Sequence, residues 1–564
     1  MKHLVPSFIL IITLVVSHNA QNIDAGHKSV DVAARKFELL NDLRALAEDA
    51  LKLDQPLARA AADAEIADAA WSLDREWAKT LLLGAFRLTF PAEGERRPVA
   101  RPIGAAPRLS SSTDRARNQV RARIFNIAGR EKSFTAQLAQ EGVGHVDRLE
   151  EDGIYAELAR RSLASGNKED AINYSLRAFE IDAAQSAGGI INDLALQDRA
   201  AADKLLLNYI ESLKPLPVSD RNGSLWRIDF TLAQLIFPNS IFFESRRNIP
   251  SPGAEVMRAY VGYVIETLSR LAQTEPDRMK FDRSFLLSAW LPLRQYAPEL
   301  TPTFMELERL TRTPGQNSDL PTQSHEERDK EYFDKMDREA LKSDRPDERS
   351  ISSLISRGEF DTARKLIGKL PDGEQKAQLS ERLNMSEALS LVAKDDISGA
   401  SRLAERLTTA LSINRVYPAI VNKCAARKDQ LCVTSSVYQA VKQLKVADRA
   451  LPVPPAGIPA SALSGDEEID PVLSSLGQLA KAVAQLDSQL AAEVLDEMVE
   501  AANRSRVDTG QGRTGFEPDV FKTLAKRDES RARQSADGLK DRLRRLTAMA
   551  EIYQWKVSEL KEKP

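Results

Sequence analysis

A short pattern recurs along the chain and limits how it can fold: an acidic or amide residue is followed four positions later by alanine. Counting each alanine as zero, positions +3 and +7 are apolar or aromatic in every copy except one, which has Ser535. These positions share one face of a helix, and alanine lets a neighbouring helix approach closely. The acidic or amide residue suits a helix start, where it accepts hydrogen bonds from free backbone N–H groups. The copies are Asp74–Ala78, Asn167–Ala171, Asp198–Ala202, Glu359–Ala363, Asp396–Ala400, Asp487–Ala491 and Asp528–Ala532.

A helical run also precedes the turns, so each copy predicts a helical hairpin. Neighbouring turns are 31 residues apart between Asn167 and Asp198 and 37 apart between Glu359 and Asp396. Periods of this length are typical of helical solenoids. The sequence therefore predicts an all-α fold of irregular helical-hairpin repeats, an α-solenoid in several segments joined by linkers.

Two of the hairpins carry a glycine five residues before the alanine, Gly166 in "ASGNKEDAINYS" and Gly358 in "SRGEFDTARKLI". There the chain resembles tetratricopeptide repeats, whose turn uses that glycine, and the other hairpins resemble TPR-like or HEAT-like solenoids in general. Both families are mostly protein-binding scaffolds. The resemblance implies a binding role.

The first twenty residues differ in character from the rest. Lys2 is followed by the apolar run "LVPSFILIITLVV" and then by "SHNA", which offers Ala20 as a cleavage residue. This order is typical of a secretory signal peptide, although His18 is bulkier than the usual residue at its place. An uncleaved anchor is the alternative, but the run is short for a membrane span of about 20 residues. We expect a periplasmic or secreted protein with no transmembrane segment once the signal peptide is removed.

Proline, glycine and charge mark the linkers that divide the rest of the chain. The expected segments are a signal peptide (1–20), N-terminal helical hairpins (21–90), a linker (91–114), a central helical segment (115–311), a charged linker (312–350), a helical repeat segment (351–450), a Pro-rich linker (451–471) and a C-terminal helical segment (472–564).

The overall charge narrows the possible partners. The formal net charge is −3, and aromatic residues make up 6% of the chain. Binding of nucleic acid or of an anionic membrane needs a basic face, which this balance does not suggest. We expect a protein or another extended macromolecule as the partner, and no nucleic acid.

The stretch "WSLDREWAKTLLLGAF" raises the question of catalysis. Trp71 and Trp77 could stack on a sugar while Asp74 and Glu76 act as acid and base, as glycosidases require two carboxylates. The same framework recurs six more times without tryptophan, and Asp74 holds the capping position. We therefore interpret the stretch as the bend of a hairpin.

Other catalytic and metal-binding patterns are lacking. The histidines after the signal peptide are His27, His145 and His325, which are far apart in sequence. Neither a paired-histidine zinc motif nor a nucleophile elbow or phosphate-binding loop is present. The sequence predicts no cofactor, no metal and no catalytic residues.

One region departs from the hairpin pattern by concentrating Phe, Ile and Tyr between residues 226 and 268. The structural interpretation is a thicker core where two segments meet, since apolar residues are usually buried. The functional interpretation is a ligand-facing loop. That loop would present Phe242, Phe243, Arg246 and Arg247.

The chain has two cysteines, Cys424 and Cys432, eight positions apart. A continuous helix would separate their Cα atoms by about 12 Å, too far for a disulfide. A weaker copy of the turn has Asp429 at its capping position, which would place the cysteines on the two sides of a bend. An oxidising compartment would then favour a disulfide. The alternatives are two unrelated buried thiols or a metal pair, although two ligands alone hold a metal poorly.

These observations lead to one expected function and two alternatives. We expect an exported, non-catalytic helical repeat scaffold that binds a protein or other extended macromolecule. The first alternative is a periplasmic enzyme on a helical scaffold that acts on polysaccharide or peptidoglycan. The second is a structural component of a cell-envelope assembly.

Overall fold

A computed structural model describes most of the chain after the first thirty-one residues. The described residues are 32–91, 112–142, 145, 148–181, 187–215, 232–237, 249–274, 283–311, 320, 335, 339, 346–450, 470–505 and 507–562. Within them 82% of residues are helical and none is in a strand. This confirms the predicted all-α fold.

The helices are numbered in chain order. They are α1 (32–50), α2 (Pro56–Ala70), α3 (Arg75–Leu88), α4 (Ser112–Ala128), α5 (Lys132–Gly142), α6 (Arg148–Ala164), α7 (Lys168–Ile181), α8 (Ala187–Gln197), α9 (Arg199–Leu213), α10 (232–236), α11 (Ala254–Thr274), α12 (Arg283–Ser288), α13 (Trp290–Tyr296), α14 (Thr301–Thr311), α15 (Glu348–Arg357), α16 (Phe360–Gly368), α17 (Glu374–Ala393), α18 (Ile397–Ala404), α19 (Ala410–Ala426), α20 (Gln430–Ala450), α21 (Pro471–Ala484), α22 (Ser488–Arg504), α23 (Asp519–Ala525), α24 (Glu529–Asp537) and α25 (Arg542–Glu562).

The recurring acidic or amide residue caps the second helix of nearly every predicted hairpin. Its side-chain oxygen accepts a hydrogen bond from the backbone N–H three residues later, as in Asp74 with Trp77 (3.0 Å) and Asp487 with Leu490 (2.9 Å). Such a cap stabilises a helix by about 1 kcal/mol. Glu359 is the exception, because its side chain makes no capping bond. The other caps of this kind are Asn167, Asp198, Asp396, Asp429 and Asp528.

The alanine that follows each cap is buried in all seven copies, as is the residue at +7. The predicted inward face is therefore buried in every copy of the pattern. Ser535, which interrupts the apolar stripe, is also buried, and its hydroxyl donates to the Asp496 carboxylate at 2.9 Å. A buried hydroxyl with a partner fits the face without an unpaired polar group.

Four of the hairpin turns share a left-handed residue directly before the cap. In each the backbone N–H of the cap bonds the carbonyl five residues earlier, the arrangement that ends many helices. The left-handed residues are Gly166 (φ 79°), Gly358 (φ 80°), Asp395 (φ 69°) and Lys428 (φ 58°). The two glycines were visible in the sequence, whereas Asp395 and Lys428 take the same conformation without the glycine that would mark it.

The described helices fall into two compact units. Among the described residues, those up to Thr89 and from Asn384 onward form the first unit, and those from Phe90 to Leu383 form the second. The border lies within α17, so the predicted repeat segment 351–450 contributes to both units. The sequence-based segments did not indicate that residues 32–89 share a unit with the C-terminal residues.

In the first unit the hairpins stack in two layers. One layer contains α19, α21, α23 and α25, each packed against the next, and the other contains α20, α22 and α24. A continuous apolar core runs from Ala388 to Ile552 between the layers. This is the stacking of a helical repeat solenoid, in which each hairpin buries its faces against its neighbours.

The first and last described helices complete the first unit together. Helix α25 packs against α2. Two contacts show that it also runs antiparallel to α1. Near its start, Arg542 donates to the carbonyl of Lys52, just after α1 (2.9 Å), and farther along, Tyr553 contacts Asp42, which lies ten positions before Lys52. Arg545 adds an ion pair to Asp49 (3.7 Å). The first and last described helices thus form a hairpin without a covalent turn.

The second unit repeats the same principle with less regularity. The hairpins α6–α7 and α8–α9 stack on each other, and α11 then packs against α9, α13 and α14. Lys168, the first residue of α7, reaches the cap of the next hairpin, Asp198, at 2.9 Å. A smaller apolar cluster joins α15, α16 and the start of α17.

Candidate binding surface

Several sequence predictions concern residues outside the described ranges. The proposed ligand-facing loop with Phe242, Phe243, Arg246 and Arg247 lies there, as does the signal peptide at residues 1–20. Both stay predictions.

The stretch from Trp71 to Phe86 has the contacts of a hairpin turn. Trp71 is buried directly after α2, and Asp74 caps α3 while pairing with Arg44 at 3.5 Å. Glu76 pairs with Lys79 at 3.0 Å in the first turn of α3. The Arg44 guanidinium lies 5.7 Å from the centre of the Trp77 ring. Both carboxylates are therefore engaged in contacts that stabilise the turn.

The two cysteines lie at disulfide distance, with Cα atoms 5.7 Å apart. Cys424 is buried in the last turn of α19, and Cys432 lies in the first turn of α20. Between them Lys428 is left-handed and Asp429 caps α20 through the N–H of Cys432 at 3.0 Å. This confirms the predicted bend at Asp429.

Exposed apolar side chains concentrate on α20. Leu431, Tyr438 and Val446 are 84%, 54% and 63% exposed, and they lie along one side of the helix. Leu486 is exposed at the turn before α22. This turn lies next to the start of α20, where Gln430 donates to the Asp487 cap at 3.2 Å. Large exposed apolar groups that cluster in a folded protein are typical of an interaction site.

Beside this stripe a groove of about 470 Å³ runs between α20 and α22. Buried Val437, Leu490 and Val494 and half-buried Val441 form its floor. The rim carries two exposed apolar residues, Tyr438 and Val446, and four charged ones. The charged lining residues are Lys442 and Lys445 on α20 and Glu493 and Glu497 on α22.

Two polar contacts cross the groove. The Tyr438 hydroxyl donates to Glu493 at 3.0 Å, and Lys445 pairs with Glu497 at 2.5 Å. The hydrogen bond to the Glu493 carboxylate raises the pKa of Tyr438 above its usual value. Both contacts are exposed to solvent, where water screens the charges and such pairs contribute little to stability. They can therefore be exchanged for contacts to a partner at little cost.

The groove could have been suspected from the sequence of α20. Its core face is one stripe, Val433, Val437, Ala440 and Leu444, all buried. Leu431, Tyr438 and Val446 form a second apolar stripe that the hairpin core does not need. This second set of apolar residues on one helix of an otherwise amphipathic repeat was the sequence pattern that could have indicated the groove.

The described residues contain no group of three or more His, Cys, Asp or Glu side chains placed to hold a metal ion. Among the described helices, none combines the length and apolarity needed to cross a membrane.

Comparisons with known proteins give little. No protein-family model and no curated protein matches the chain. A solved structure, "Circular tandem repeat protein with novel repeat topology and enhanced subunit contact surfaces", aligns over 92% of this chain and 98% of that chain. The sequence identity is 13% and the TM-score is 0.16. A likeness at that score carries no conclusion about this chain.

Proposed function

We propose that the protein is an exported α-helical repeat scaffold that binds a protein partner through the groove between α20 and α22 and has no catalytic activity of its own. The observation that carries this proposal is the apolar second stripe of α20 beside a groove with an apolar floor. Burial of Tyr438 and Val446 by a partner would remove exposed apolar surface from water, which drives most protein association.

Export is supported by the signal-peptide pattern at residues 1–20 and by a cysteine pair at disulfide distance, an arrangement that persists in oxidising compartments. The test is to fractionate the native host and to determine the N-terminus of the protein. We expect a mature chain that starts near Gln21, outside the cytoplasm. Intact chain starting at Met1 in the soluble cytoplasmic fraction would contradict the proposal.

Binding is tested by site-specific photo-crosslinking in the native host. A photoreactive amino acid replaces Val446 in the groove or, as the matched control, Leu411, which is 55% exposed at the start of α19 and does not line the groove. We expect one defined protein adduct from position 446 and none from position 411. Equal capture from both positions, or no capture from either, would refute a partner site in the groove.

The same experiment separates the alternatives. Adducts between copies of this chain would favour a structural component that self-associates. Adducts to glycan or peptidoglycan fragments, together with their hydrolysis by the purified protein, would favour the enzyme. A single foreign protein supports the scaffold.

A further inference from the structure

The groove has the length of two helical turns. On α20 its lining extends from Val437 to Val446, and on α22 from Leu490 to Glu497. At 1.5 Å per residue these spans are about 14 Å and about 11 Å. A partner segment that fills the groove is therefore short, about seven to nine residues if helical.

The walls determine which backbone conformation can lie in the groove. All ten lining residues lie inside α20 or α22, where backbone N–H and C=O groups bond within the helix. The groove thus offers a partner no row of backbone donors and acceptors. An extended peptide would bury unpaired amides against Val437, Leu490 and Val494, whereas a helix satisfies its own backbone.

The charges add a second requirement. Lys442 and Lys445 line the α20 side, and Glu493 and Glu497 line the α22 side, so the two edges of the groove have opposite sign. The bonds that now cross it, Tyr438–Glu493 and Lys445–Glu497, join these edges. A ligand could replace both contacts if its acidic groups bound Tyr438 and Lys445 and its basic groups bound Glu493 and Glu497.

We propose that the groove binds an amphipathic helix of the partner protein, with an apolar stripe of two turns, acidic residues facing α20 and basic residues facing α22. This rests on the proposed function and names its ligand. Helix-in-groove recognition of this kind uses apolar anchors at positions i, i+3, i+4 and i+7. The opposite charges of the two edges set the direction in which the helix lies.

The test measures fluorescence anisotropy of labelled probe peptides with the full mature protein. One probe is a helical peptide with leucine at the four anchor positions, glutamate along one edge and lysine along the other. A second has lysine along both edges, and a third is a scramble of the first without the stripe. We expect the mixed-edge peptide to bind more tightly than both others.

Variants locate the binding. Val446→Asp places a charge at an apolar contact and is expected to weaken the mixed-edge peptide by about tenfold or more. Leu411→Asp, the same kind of change outside the groove, should leave binding unchanged. Lys442→Glu should weaken the mixed-edge peptide by about two- to fivefold and strengthen the lysine-edged one.

Two results would overturn the proposal: equal binding of the striped and scrambled peptides, or equal effects of Val446→Asp and Leu411→Asp. Circular dichroism of each variant checks that it is folded. Capture of a foreign protein from position 446 without groove-dependent peptide binding would contradict the proposal of a helical ligand but support the proposed function. Groove-dependent peptide binding without any capture in the host would support the helical ligand and count against the proposed function.

Discussion

Replacement of Asp63 by asparagine should stabilise the first unit at neutral pH. Asp63 lies on α2 with its side chain 7% exposed, and it pairs with Arg59, whose Nε lies 3.5 Å from the carboxylate. Burial raises the pKa of Asp63 from 3.8 to about 6, although the charge of the nearby Arg59 lowers it in part. The charged carboxylate is therefore less favourable in the folded protein than in the unfolded chain.

The magnitude follows from linkage between protonation and folding. The pKa difference between about 6 folded and 3.8 unfolded corresponds to about 3 kcal/mol, at about 1.4 kcal/mol for each pKa unit. Because the folded state binds the extra proton between these two values, the stability of the wild-type protein falls as pH rises from 4 to 6. An asparagine has no such dependence but can pair imperfectly. We expect Asp63→Asn to be more stable by about 2 kcal/mol at pH 7.5 and nearly neutral at pH 4.

Hydrogen exchange of the α2 amides, measured at matched pH for wild type and variant, reports the free energy of opening for this unit alone. Arg59→Gln is the opposing control: it removes the cation that lowers the Asp63 pKa, so it should destabilise at pH 7.5 and have less effect at pH 4. An Asp63→Asn variant that is less stable than wild type at pH 7.5, or a stability difference that does not change with pH, would contradict this prediction.

Three further predictions concern the turns and the chain ends. Lys428→Gly should stabilise the α19–α20 turn by about 0.5–1 kcal/mol in urea denaturation, since a left-handed lysine is strained, and Gly358→Ala should destabilise by a similar amount; an unchanged midpoint for both would contradict this. Alkylation of the exported protein without reductant should label neither Cys424 nor Cys432, and label on both cysteines would show that the pair is not bonded. Reduction should lower the free energy of unfolding by about 2.5 kcal/mol, because the disulfide closes a nine-residue loop. Deletion of residues 542–564 should abolish hydrogen-exchange protection of α2 while the second unit keeps its own; retained protection of α2 would show that α25 does not support it.

The hairpins could be predicted from the sequence because their determinants are local. A cap such as Asp487 bonds a backbone N–H three residues away, and the inward alanine lies four residues away, so both are readable within one turn of helix. The bend between Cys424 and Cys432 was predictable for the same reason. The left-handed turns at Asp395 and Lys428 are also local, but the sequence hides them because neither is glycine.

The pairing of hairpins was decided by tertiary structure alone. Helix α25 completes the first unit with α1 and α2, across more than 450 residues of chain. The faces that meet there are generic alanine and leucine surfaces, which fit many possible neighbours, and packing across the whole unit selects among them. The raised pKa of Asp63 and the groove beside Tyr438 arise in the same way. Burial and exposure depend on which helix covers a surface, and this is fixed only when the stack is complete.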